Sequence, residues 1–141
     1  MATETKLRQL ADKGCPVYYF YSSERYLVRQ AVAAATRILT ADSDEDATVL
    51  DGAAPEIEQL IMAAGTISFF GTRRVVVLPE IDPAAYSDKD LEELNSTLSS
   101  LENAVVVLGS VFELERSKLK TGKRAQKLIA QCKALGYTEE L

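Results

Sequence analysis

The chain has 141 residues, 47% of them hydrophobic and 26% charged, which fits one ordinary globular domain and excludes a disordered or fibrous chain. Its 21 acidic against 16 basic side chains give a formal net charge of -5, ill suited to gripping a polyanion, because phosphate binding draws on lysine and arginine. Histidine is absent, which removes the commonest general base and the commonest metal ligand together.

The opening Met1-Ala2-Thr3-Glu4-Thr5 lacks the basic-then-apolar pattern of a secretory signal, and no apolar run approaches the ~18 residues of a membrane span. A cytoplasmic location with no membrane partner is expected. Leu7, Leu10 and Ala11 recur at helical spacing within 3–13, and Gly14 before Cys15-Pro16 ends that helix. Cys15 and Cys132 lie far apart and form no CxxC, so both are expected to be buried or idle thiols. The β-branched and aromatic run at 17–21 reads as a strand buried on both faces. Ser22-Ser23 then caps a helix over 24–39, with Tyr26, Leu27, Gln30, Ala31, Ala34 and Ile38 as its inward residues.

An acidic link at 42–46 leads to a short strand at 48–50, the turn Asp51-Gly52, and Pro55 as a first helical residue. Ile57, Leu60, Ile61 and Ala64 form the core stripe of the helix that follows. The most apolar strand is 74–78, closed by Pro79. A helix over 87–100 presents Leu91, Leu94, Leu98 and Leu101 inward, a fourth strand occupies 104–108, and the last helix is expected over 118–133. At 137–141 a further strand begins, as though the domain belongs to a longer protein. Strands alternating with helices imply crossover connections, hence an α/β fold of three layers: a parallel sheet flanked by helices, in one domain over 1–141.

Such sheets bind ligands beyond the carboxyl ends of their strands. The loop there, Tyr21-Ser22-Ser23-Glu24, has neither the glycines that let backbone amides converge on phosphate nor the lysine that meets its charge. Gly122-Lys123 is followed by Arg124 rather than Ser or Thr, lacks the earlier glycine, and follows no strand directly, so it fails as a phosphate loop. The third strand ends Val77-Leu78-Pro79-Glu80, with one acid where an ATPase presents an Asp-Glu pair. Glu80 and Asp82 read as turn residues. No catalytic, cofactor-binding or metal-ligating set emerges. The segment 116–133 carries seven Lys/Arg and no acid, which leaves three readings open: a nucleic-acid contact, an acidic subunit face, or a solvated helix surface.

One segment does not fit a bland domain. Continued at about 100° per residue, the helix of Ile57 and Leu60 keeps Ile67 near its core stripe but turns Phe69 and Phe70 well away, on the outward side with Met62 and Ala63. Alternatively Gly65 breaks the helix, resets the phase and lets both rings tuck under the next strand. Adjacent large residues rarely point the same way, so at least one ring is expected outside. Arg73 and Arg74 follow, and Phe, Met and Arg are enriched in protein interfaces.

Taken together, the stretch 7–14, Pro16-Val17-Tyr18-Tyr19-Phe20-Tyr21, Ser23-Glu24-Arg25-Tyr26-Leu27, Leu50-Asp51-Gly52 and Ile67-Ser68-Phe69-Phe70-Gly71-Thr72-Arg73-Arg74 resemble the delta subunit family of the bacterial DNA polymerase III clamp loader. The family has Ser-Leu-Phe-Gly or Ser-Phe-Phe-Gly before its apolar strand, and often a lysine-rich stretch behind its late strand. Where this chain has Ser22-Ser23 the family usually has Gly-Glu or Gly-Asp. The resemblance implies an AAA+-like N-terminal domain without a functional phosphate loop, not an enzyme and needing no cofactor. Lid and collar domains follow it in the family and are absent from 1–141. It implies binding and opening of the sliding clamp (beta subunit) in DNA replication through Phe69 and Phe70, with other clamp-loader subunits as further partners and DNA met only indirectly; Ile67 and Met62, from their place in the helix pattern, are expected to help that contact. The alternative class is a small-ligand or signalling α/β domain of receiver type, for which Glu24 alone approximates the acids needed after the first strand, and Leu78-Pro79 stands where a phosphorylatable aspartate belongs. A nucleotide-hydrolysing enzyme is the third.

Overall fold

The structure, a computed structural model, describes residues 4–41, 43, 45–65 and 73–141. Along the chain run α1 (Glu4–Asp12), β1 (Val17–Ser22), α2 (Arg25–Thr40), β2 (Thr48–Val49), α3 (Ile57–Gly65) and β3 (Arg74–Leu78). A 3-10 turn (Pro83–Ala85), α4 (Asp88–Ser99), β4 (Ala104–Val111), β5 (Glu113–Glu115), β6 (Lys118–Lys120), α5 (Gly122–Leu135) and β7 (Tyr137–Glu140) follow. Five strands form one sheet in the order β2-β3-β4-β1-β7, every pairing parallel. The expected α/β class with a helix-flanked parallel sheet is therefore present, and the strand anticipated at 137–141 is β7.

Both faces of the sheet are covered at its centre, which is why β1, β3 and β4 are largely apolar runs rather than alternating. Tyr18, Phe20, Val75, Val77, Val105 and Val107 pack with Leu7 of α1 and Val28, Ala31, Val32 and Ala35 of α2. On the other face Val17, Tyr19, Val76, Leu78, Val106 and Leu108 meet Ile57 and Leu60 of α3, Leu91, Leu94 and Leu98 of α4, and Leu128 and Cys132 of α5. The leucine stripe of α4 lies where its spacing puts it, with Ser87 capping the helix by accepting from the Asp90 N–H at 3.1 Å. Burial pushes the Cys132 thiol up to about 12, so it sits in the core as an inert hydrophobe.

Three local expectations are corrected. Of the residues expected inward on α2, Ala31 is buried and Ala34 and Ile38 pack half-buried against the core, but Tyr26 and Gln30 are exposed, and Val28, Val32 and Ala35 complete the inward face. An alanine-rich helix has several nearly equivalent apolar faces, and the sheet selects the one whose small side chains allow the closest approach. At Gly109 in β4 that approach is tight enough that a Cβ would lie 2.4 Å from the Pro79 carbonyl oxygen and 2.9 Å from Val28. Next, the cap expected from Ser22-Ser23 is absent: Glu24 is the N-cap of α2 and makes no side-chain capping bond.

Finally, the helix expected over 118–133 begins only at Gly122, and Lys118–Lys120 is β6, paired antiparallel with β5. Arg116 and Ser117 both have positive φ, 53° and 65°, the geometry of a two-residue hairpin turn normally given to Asn-Gly. Thr121 then links the hairpin to α5, whose first residue, Gly122, has φ 80°. The hairpin sets Glu113 opposite Lys120 and Glu115 opposite Lys118, and Arg124 pairs with Asp88 at 2.9 Å. Much of the basic character of the run is thus answered by acids from outside it.

Candidate functional site: the outer face of α3

In α3 only Ile57 and Leu60 are fully buried, and Ala63 and Ala64 are half-buried. At about 100° per residue this face centres on Leu60, which leaves Ile61 about 100° and Met62 about 160° away from it. Ile61 is accordingly 50% exposed and Met62 74% exposed. Ile61 was expected in the core stripe and Ala63 on the outward side; the helix is rotated so that the two exchange roles. The outcome is two consecutive large apolar side chains on the surface.

Phe69, Phe70 and Ile67 fall in 66–72, outside the described residues. What the structure defines is the frame on either side. Gly65 is the last residue of α3, and Arg74 opens β3 with Arg73 immediately before it. Beside the end of α3 lies a groove of about 380 Å³, bounded by Ile61, Ala64 and Gly65 on one side and by Ser96 and Thr97 of α4 and the following Ser100 on the other. The groove mixes apolar residues with small polar ones beside the exposed apolar pair, a composition compatible with an interface.

The two arginines, read from sequence as interface candidates, are instead half-buried and engaged within the domain. Arg74 pairs with Glu45 at 2.6 Å, with side-chain exposures of 24% and 20%, and its backbone N–H donates to the Asn103 carbonyl at 2.8 Å. Arg73 donates to the Gly14 and Ala104 carbonyls. No residue-type pattern signals that commitment, because backbone carbonyls are invisible to side-chain statistics.

At the carboxyl ends of the strands, the turn after β1 is closed by its own hydrogen bonds. Ser22 Oγ donates to the Leu141 carbonyl at 3.1 Å and accepts the Glu24 N–H at 3.1 Å. Arg25, the first residue of α2, forms an ion pair with Glu80 after β3. Beneath them Ser110 Oγ donates to the Ile81 carbonyl at 2.8 Å, so Tyr19, 2.6 Å away, is the donor to Ser110. Burial holds the Tyr19 phenol well above its ordinary range, keeping that proton in place. Glu80 is therefore part of a structural ion pair, and the helix N-terminus that would meet a phosphate carries the Glu24 carboxylate instead.

No protein-family model matches the chain, and no curated protein matches it. Among the described residues no group of three or more Cys, Asp or Glu is arranged to hold a metal ion, and no helix is long and apolar enough to cross a membrane.

Proposed function

We propose that this chain is the clamp-contacting domain of a delta-type clamp-loader subunit, a cytoplasmic, non-catalytic AAA+-like module of the DNA polymerase III holoenzyme. In this reading it binds the sliding clamp and favours its opened form, with sister loader subunits as further partners and DNA met only indirectly. The observation that carries the reading is the exposure of Ile61 and Met62 at the end of α3, a few residues before Ser68-Phe69-Phe70-Gly71. Two exposed apolar side chains in succession form a small apolar patch of the kind that marks interaction sites. The contact would favour an opened ring to the extent that the clamp binds the domain better in that state.

Immobilised clamp and surface plasmon resonance test this directly. The wild-type domain is expected to bind saturably, and Met62→Glu to weaken binding about tenfold or more, since a carboxylate replaces a buried methionine at the contact. Because Met62 is a surface residue in its own domain, the melting temperature of Met62→Glu should stay within the range of a ~0.5 kcal/mol change. No binding by the wild-type domain, or binding indifferent to Met62→Glu, would count against the proposal.

The closed turn after β1 supports the non-catalytic part of the reading. A fluorescent ATP analogue with magnesium, titrated to millimolar concentration, is expected to give no saturable polarisation change, whereas micromolar binding would overturn it. The receiver alternative loses ground on strand order. Receivers place β1 between the second and third strands, whereas here β1 lies between β4 and β7.

A further inference from the structure

We infer that the groove between the ends of α3 and α4 seats a lysine or arginine side chain of the docking protein; in taking that protein to be the clamp, the inference rests on the clamp-loader reading above. Ile61 and Ala64 of α3, with Leu101, give the groove an apolar part, and Thr97, Ser100 and Glu102 give it a polar part. A long basic side chain is divided in the same way, into an aliphatic stem and a charged head.

The hydroxyls of the polar part are set to accept. Thr97 Oγ1 donates to the Glu93 carbonyl at 2.8 Å and Ser100 Oγ to the Ser96 carbonyl at 2.7 Å. A hydroxyl has one proton, so each has only lone pairs left to offer. Glu102 is exposed and adds a carboxylate that makes no ion pair among the described residues.

The helix end acts in the same sense. Of the last four carbonyls of α4, those of Ser96 and Thr97 are met by the Ser100 side chain and N–H. Those of Leu98 and Ser99 accept no hydrogen bond among the described residues. No basic residue occupies the last turn of α4, and no described lysine or arginine lines the groove. The negative pole of the helix is thus left for a cation from outside, the charge that a helix C-terminus favours.

Surface plasmon resonance against the immobilised clamp tests the seat. Ser100→Lys places a like charge in the groove and should weaken binding about tenfold, and Glu102→Gln about threefold. Wild-type affinity should fall as potassium chloride is raised, and Glu102→Gln should flatten that dependence. Glu115→Gln, on the exposed face of the β5–β6 hairpin, should change neither readout. Ser100 and Glu102 are both exposed, so melting temperatures should stay close to wild type. If both groove variants bind the clamp as tightly as wild type while Met62→Glu weakens it, the inference is overturned and the clamp-loader reading stands. If the wild-type domain binds no clamp, that reading fails and the free domain decides the seat. Butylguanidinium should then shift the amide resonances of Thr97, Ser100 and Glu102 saturably where neutral butylurea does not; equal or absent shifts would overturn the inference.

Discussion

Replacing Phe69 and Phe70 together by alanine is expected to abolish detectable clamp binding while the domain stays folded. Each ring buried in an apolar pocket contributes roughly 1.5–3 kcal/mol, so losing both lowers affinity by a factor between about a hundred and ten thousand. Anchors of this kind dominate binding when they are aromatic and central to the contact. Surface plasmon resonance against the clamp gives the affinity, and circular dichroism melting gives the control. The expectation rests on the Ser68-Phe69-Phe70-Gly71 resemblance together with the exposed Ile61 and Met62 that precede it. Wild-type affinity from a folded double variant would end the clamp-loader proposal.

The second large effect concerns stability. Gly136 joins α5 to β7, and a Cβ there would lie 2.1 Å from the Val17 carbonyl oxygen and 3.0 Å from the Val17 carbonyl carbon and nitrogen. These neighbours are backbone atoms of a fully buried strand, so no side-chain rotation relieves the clash. Gly136→Ala should therefore cost about 3 kcal/mol or more, lowering the melting temperature by roughly 10 °C. Gly65→Ala is the matched contrast. Among the described residues a Cβ at Gly65 meets nothing within 4 Å, its φ is not left-handed, and alanine is the better helix former, so that variant should be neutral or slightly more stable. Equal losses at both positions would show that close approach to β1 is not what demands glycine at 136.

Much of this architecture could be read from the amino acids because the elements are long or strongly apolar. Val75-Val76-Val77-Leu78 can hardly be anything but a buried strand, and the leucines of α4 repeat at unmistakable helical spacing. The bonds that close the turn after β1 were not legible, since Ser22 was read as part of a helix cap and instead bonds the Leu141 carbonyl and the Glu24 N–H. What escaped were features without periodicity. The three-residue strands β5 and β6 are too short to show one, and their turn uses Arg116 and Ser117 where composition gives no hint of positive φ. The faces of α2 and α3 were misjudged because each helix has apolar residues on more than one side, so contact with the sheet and not hydrophobicity decides the rotation. At the candidate site the sequence named Met62 correctly as outward, but assigned Ile61 to the core and left unseen the carbonyl acceptors that draw Arg73 inward.

The order β2-β3-β4-β1-β7 also governs how the chain reaches its fold. In the register, Val17 pairs with Val106 and Tyr18 with Tyr137, so the first strand finds no neighbour until the second half of the polypeptide exists. Contacts this distant in sequence close slowly, because a long loop must be ordered before any pairing rewards it. On the ribosome, Val-Tyr-Tyr-Phe-Tyr therefore emerges early and waits unpaired, an apolar segment dependent on α2 or a chaperone for cover until β4 arrives to sit beside it.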